Sequence, residues 1–230
     1  MIGRGFVLGG AIVLAAFQTA SAASDPVAGR HIAERGTQNG AQPCSACHQA
    51  DGRGNEALGA PRLAGQTEFY LAKQLRDYAS GSRQNDIMTP IAKALNDQQR
   101  DDAAAYYAHL DAPYPPVKAA DPQALAHGGA LVAMGSQKLR VEGCVNCHGP
   151  QATGLAPSYP ALAGQYASYL SAQYKAWRGG TRGNDPQGVM RMIFSRIDEK
   201  DADAIMQYLA SLRPTSQPGA ELSGTTAEKK

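Results

Sequence analysis

The chain has 230 residues, 43% hydrophobic and 18% charged, enough for one large core or two small ones and too apolar for a disordered chain. Its 22 Lys and Arg against 20 Asp and Glu leave a formal charge of +2, which shows no basic footprint for nucleic acid. Four cysteines are too few for a disulfide-stapled scaffold of this length.

Residues 1–22 read as a cleaved secretory signal: Arg4, a 12-residue apolar run from Phe6 to Phe17, then Ala20-Ser21-Ala22. At ~1.5 Å per residue that run falls short of the ~30 Å hydrocarbon core, so it predicts export rather than a membrane anchor. The mature chain is then expected in an oxidising compartment, the bacterial periplasm.

The first domain, 23–112, predicts a short helix around Ala28 to Arg35, then the pentapeptide Cys44-Ser45-Ala46-Cys47-His48. A helix over Glu68 to Ser80 puts Phe69, Ala72, Leu75 and Ala79 near one face. The last helix, capped at Asp97, turns Ala104, Tyr107 and Leu110 inward. Pro113, Pro115 and Pro116 cannot continue it, so 113–121 reads as an extended linker.

The second domain, 122–213, repeats the order. A helix over Pro122 to Met134 leads to Cys144-Val145-Asn146-Cys147-His148, and a helix over Tyr166 to Arg178 carries Leu170, Tyr174 and Trp177 on one side. The last helix is capped at Asp198 and turns Ile205, Leu209 and Leu212 inward. No alternating strand pattern competes, so the fold class is all-α. The tail, 214–230, is rich in Pro, Ser, Thr and Gly and is expected to be disordered.

The repeat is quantitative. A shift of 99 superposes Pro61, Leu63-Ala64-Gly65-Gln66, Tyr70-Leu71, Gln74, Gly81, Arg83 and Asn85-Asp86 on their second copies, 12 identities in 26 positions. The pentapeptides align at a shift of 100, and Met88 falls on Met190 at 102.

Cys-x-x-Cys-His is the attachment signature of c-type haem: two thiols form thioethers and the adjacent His is the proximal iron ligand. Cys44, Cys47 and His48 would hold one haem c, and Cys144, Cys147 and His148 another. A thioredoxin-like dithiol lacks its strand-to-helix setting, and a four-cysteine zinc site would have to join pairs 100 residues apart. His31, His109 and His127 have no counterpart in the other copy and read as surface or packing histidines.

Met88 and Met190 are the repeat-matched candidates for the second axial ligand. They follow the proximal histidines by 40 and 42 residues, enough chain to reach the opposite haem face. Met134 and Met206 are unmatched and read as core filler. The second loop, Asn184 to Met192, is two residues longer than the first and holds a second methionine. The ungapped alignment of Ile193 to Leu212 on Ile91 to Leu110 assigns the Met88 position to Met190 and the Pro90 position to Met192.

Two Cys-x-x-Cys-His segments, each followed by Pro-x-Leu-Ala-Gly-Gln, a Tyr-Leu helix, Gly-x-Arg-x-Asn-Asp and a Met, resemble the dihaem cytochrome c4 family over about residues 28–212. The resemblance implies two helical cytochrome c domains facing each other, two haem c groups, and single-electron shuttling toward a terminal oxidase. It further implies that the Pro61 and Pro160 carbonyls orient the histidines and that Arg83 and Arg182 are candidate propionate partners, an exposed helix-end arginine being the equal alternative for each. The rival reading is the electron-accepting subunit of a periplasmic dehydrogenase, for example flavin-dependent sulfide oxidation. Either role requires a redox protein donor and acceptor and no nucleic acid, and leaves peripheral membrane association open. A peroxidase would need one haem without a strong sixth ligand, which the matched methionines argue against.

Overall fold

The computed structural model describes residues 23–215; the signal segment and all but the first two residues of the tail lie outside them. The first domain runs α1 (Pro26–Arg35), the single turn α2 (Ser45–His48), α3 (Glu68–Ser80), α4 (Met88–Lys93) and α5 (Asp97–Ala108). The second repeats it with α6 (Pro122–Met134), α7 (Val145–His148), α8 (Ala167–Arg178), α9 (Val189–Arg196) and α10 (Glu199–Ser211). Among the described residues no helix is long and apolar enough to cross a membrane.

In each copy the first and last helices cross, α1 on α5 and α6 on α10, and the helix after the haem-type motif packs on the last one. Glycine permits the crossings. A Cβ on Gly29 would lie 1.9 Å from the Asp102 carbonyl oxygen, and one on Gly128 would lie 2.1 Å from that of Ala204. No side chain larger than hydrogen fits either contact.

The cores differ in grain. The first domain divides its core between an alanine-rich cluster with Leu71 and Tyr107 and a smaller one around Ile32 and Leu95, with Cys44 packed against both. The second has one continuous cluster built on larger side chains, including Val132, Leu170, Ile205, Met206 and Leu209, with Cys144 against it.

Several expectations need correction. Asn96, not Asp97, caps α5, because its side chain accepts from Gln99 N while Gln99 closes the capping box. Phe69 is 52% exposed; the inward face of α3 is Leu71, Ala72, Gln74 and Tyr78. The apolar pattern misplaces this face because α3 buries a polar residue, Gln74, against the other domain. Met134, expected in the core, is 76% exposed at the end of α6, whereas Met206 is buried. A two-residue antiparallel pair, β1 (Gly135–Ser136) with β2 (Val141–Glu142), stands where no strand was expected.

The domains meet through a pseudo-twofold set of side-chain bonds. Gln66 donates to the Ala161 carbonyl (3.0 Å) and accepts from its N–H (2.8 Å); Gln165 does the same with Arg62, at 2.9 and 3.0 Å. The linker is extended, as its prolines dictate, but strapped down. Tyr114 lies under the Arg62 and Arg213 guanidiniums, 4.8 and 5.2 Å from its ring centre, and the Pro115 carbonyl accepts from Arg213 at 2.5 Å.

Two candidate haem-attachment sites

Each pentapeptide forms one helical turn that starts at its first cysteine. His48 N–H donates to the Cys44 carbonyl at 2.9 Å, and His148 N–H to that of Cys144 at 2.9 Å. All four thiols are unpaired. Burial pushes the Cys44 and Cys144 thiols up to about 11, the opposite of a low-pKa redox dithiol. Among the described residues no three His, Cys, Asp or Glu side chains converge as a metal cluster, which removes the zinc alternative.

The histidines are aimed. The loop after each turn folds back, with Gly54 N–H on the His48 carbonyl and Gly154 N–H on that of His148. This return brings the Pro61 carbonyl to 2.9 Å from His48 Nδ1 and the Pro160 carbonyl to 2.8 Å from His148 Nδ1. A carbonyl only accepts, so Nδ1 carries the proton and Nε2 presents its lone pair. Both rings are buried, and burial holds their pKa below the ordinary value despite the opposing effect of each proline carbonyl. A neutral imidazole with a fixed tautomer is the form that ligates iron.

The matched methionines begin equivalent helices. Met88 opens α4, its N–H held by Asn85 Oδ1 at 2.9 Å, and Met190 is the second residue of α9. Both are half-buried, whereas Met192 is 47% exposed. The two extra residues of the second loop are absorbed in the turn Pro186–Gly188, where Gln187 and Gly188 adopt φ of 59° and 69°. His31, His109 and His127 are exposed; His109 turns back to the Ala105 carbonyl and His127 meets Asp201.

Arg83 and Arg182 are buried where the domains meet, not exposed at helix ends. Their backbones form an antiparallel bridge. Arg83 donates to Gln74 in its own domain and to Tyr169 (3.0 Å) and Gln173 (2.8 Å) across the boundary. Arg182 mirrors it, donating to Gln173 at 2.6 Å and to Tyr70 (3.3 Å) and Gln74 (3.2 Å). Each guanidinium also stacks in its own domain, 4.6 Å from the Tyr78 ring centre and 4.3 Å from that of Trp177. Burial alone would raise the Tyr70 hydroxyl; Arg182 and Arg83 outweigh it and bring it below the ordinary tyrosine value. The interface roles of Gln66, Gln74, Gln165 and Gln173 were not foreseen. Their signal was present, since a polar residue identical in two copies of a repeat is a candidate for a self-complementary contact.

A cytochrome c family model matches residues 33–111 and 132–213. A thiosulfate dehydrogenase electron acceptor from Thiomonas intermedia is 42% identical over 183 residues, 79% of this chain and 84% of that protein. Cytochrome c4 of Pseudomonas aeruginosa is 38% identical over 195 residues, 84% and 91% of the two chains. Reduced cytochrome c4 from Pseudomonas stutzeri superposes with a TM-score of 0.72 at 32% identity, covering 83% of this chain and all of that one. A thiosulfate dehydrogenase from Marichromatium purpuratum superposes with a TM-score of 0.76 at 38% identity over 82% of this chain, which spans 40% of that structure's length. With two free-thiol attachment turns, two buried histidines of fixed tautomer and a helical repeat throughout, the chain belongs to the dihaem cytochrome c4 family and carries two covalently bound haem c groups.

Proposed function

We propose that the protein is a periplasmic single-electron carrier of a respiratory chain, with His48 and Met88 ligating one iron and His148 and Met190 the other. The observation that carries this reading is the duplicated His–Pro pair, in which each buried Nδ1–H is committed to a carbonyl and Nε2 is left to ligate. Bound at these turns, haem iron supplies a one-electron ferric/ferrous couple. The chain's own contribution is to fix ring orientation, to exclude water with the apolar clusters around Cys44 and Cys144, and to present Met88 and Met190 from loops that can wrap each haem. Arg83 and Arg182 supply buried positive charge at the domain boundary, suited to propionates.

Delivery toward a terminal oxidase is the leading role. Acceptance of electrons from a periplasmic dehydrogenase is the second, favoured by the 42% identity to a thiosulfate dehydrogenase electron acceptor; nothing favours the flavin-dependent sulfide system in particular. A spectroelectrochemical titration of the purified holoprotein should show two one-electron centres, and carbon monoxide should leave the reduced spectrum unchanged. Stoichiometric carbon monoxide binding to one haem would move the protein toward an enzyme. Reduction by thiosulfate plus the Thiomonas intermedia dehydrogenase, without turnover on oxidase-containing membranes, would select the second role.

A further inference from the structure

The domains share their attachment turns but not their surface charge. Residues 23–112 hold 9 basic and 11 acidic side chains, whereas 122–213 hold 9 and 6. Ion pairing widens the contrast. In the first domain Arg30, Arg53, Lys73, Arg76 and Arg100 each lie within 4.0 Å of a carboxylate. Among the described residues no Lys or Arg of the second domain does so.

Three of those unneutralised cations gather on one face. The turn between β1 and β2 exposes Lys138 and Arg140, and Arg196 at the end of α9 donates to the Arg140 carbonyl at 2.6 Å. Arg191, exposed directly after Met190 on the same helix, lies about 140° round it from Arg196 and turns its guanidinium toward Gly183 and Gly188 instead. Met192, one turn before Arg196, and Met134, next to β1, add exposed thioethers. The cleft beneath is lined by Leu139, Val141, Cys144 and Ile197, so this face borders the attachment turn of the second haem. The nearby carboxylates are engaged elsewhere: Glu142 accepts from Asn146, and Asp198 caps α10. The equivalent positions of the first domain carry Gln38, Gly40 and Ala94, none of them charged.

We propose that this basic, methionine-bearing face of the second domain docks the acidic surface of a one-electron redox protein, making the second haem the port for that partner. The proposal rests on the electron-carrier reading above. An apolar centre flanked by unpaired cations gives fast, salt-sensitive association and a contact small enough to release after transfer. The matching positions of the first domain, being uncharged, offer less steering.

The test uses the reduced holoprotein, hexacyanoferrate(III) as an anionic oxidant and hexaamminecobalt(III) as a cationic one. Each takes one electron from ferrous haem and is itself reduced to the divalent metal. In the double variant Lys138→Glu and Arg140→Glu, the bimolecular rate with hexacyanoferrate(III) at low salt should fall roughly 10-fold and that with hexaamminecobalt(III) should rise. Both differences should collapse at 1 M salt. Gln38→Glu with Asn39→Glu, two new carboxylates in the corresponding turn of the first domain, should have a smaller effect. Amide shifts of the holoprotein titrated with poly-L-glutamate should map to 138–142 and 189–196. Equal effects of the two double variants, or shifts elsewhere, would overturn the docking proposal and leave the carrier reading intact. A wild-type protein that exchanges electrons with neither oxidant would overturn both. Binding to phosphatidylglycerol vesicles without response to poly-L-glutamate would assign the face to a membrane and overturn it as well.

Discussion

The two domains keep the same contacts at the haem-type motif, the domain boundary and the crossing of first and last helices, and diverge in core and surface. His48–Pro61 and His148–Pro160 differ by 0.1 Å, and the Gln66 and Gln165 bonds exchange partners across the boundary. Yet one core is split and alanine-rich while the other is continuous, and only the second has a β-hairpin and a lengthened ligand loop. A proximal histidine needs one carbonyl at one distance, which many cores can support. Surface and core are therefore free to specialise while the attachment geometry is held.

The largest effect should come from removing an attachment pair. Cys144→Ala with Cys147→Ala should give protein carrying one haem in place of two by intact mass, with the second domain opened because Cys144 packs on its single core. The same change at Cys44 and Cys47 should leave the second domain's signals intact. If either variant loses both haems, the domains do not mature independently.

Met190→Ala should remove about half of the thioether-to-iron absorption of the ferric protein and lower the second haem's potential, whereas Met192→Ala should do neither. The structure sharpens this comparison by leaving Met192 half outside while Met190 matches Met88 at the start of its helix. An active Met192 with a silent Met190 would mean that the lengthened loop shifts the ligand.

Gly29→Ala and Gly128→Ala should each destabilise the holoprotein by about 3 kcal/mol or more, read by thermal unfolding, because the new Cβ meets a backbone carbonyl that a side-chain shift cannot relieve. A tolerant Gly128 with an intolerant Gly29 would show that the larger-grained core yields where the alanine-rich one does not.

At the boundary, Gln66→Leu strands the Ala161 N–H and carbonyl, and Gln165→Leu strands those of Arg62. Each should cost about 1–3 kcal/mol and split unfolding into two transitions. Unequal costs would show that the pseudo-symmetry is geometric but not energetic.

The parts of this architecture most legible in the sequence are those with local causes. Cys44 to His48 is read from adjacent residues, the helices from periodicity, and the tandem organisation from twelve matched identities. What escaped depends on the other domain or on chain reversal. Gln74 looks like a solvent-facing residue until Arg182 and Asn184 of the other domain cover it, which is why the buried face of α3 was placed around Phe69. Arg83 and Arg182 look like exposed helix-end charges until their backbones pair. The β1–β2 hairpin is two residues per strand, too short to show an alternation, and its Lys138 and Arg140 acquire a shared role only when Arg196 joins them.

The smallest effect should lie at Glu56, which has no acidic counterpart in the second copy. Its carboxylate accepts from Lys118 of the linker at 2.8 Å and from Ser168 of the second domain at 3.0 Å. The Lys118 hydrogen bond is the main cause holding the Glu56 carboxyl below its ordinary value; burial opposes it. A carboxyl lowered on folding contributes stability that is present above its unfolded value, near 4.5, and lost as pH falls through the folded value. Lys118 is 75% exposed, so solvent and salt screen most of the attraction. Glu56→Gln should accordingly cost only about 0.5 kcal/mol at pH 7, and less in 1 M salt. The difference from wild type should shrink as pH falls through the folded value and be gone below it, where both side chains are neutral. A penalty that persists in acid would mean that Glu56 ties linker and domains together through hydrogen bonds that an amide cannot reproduce, and not through its charge.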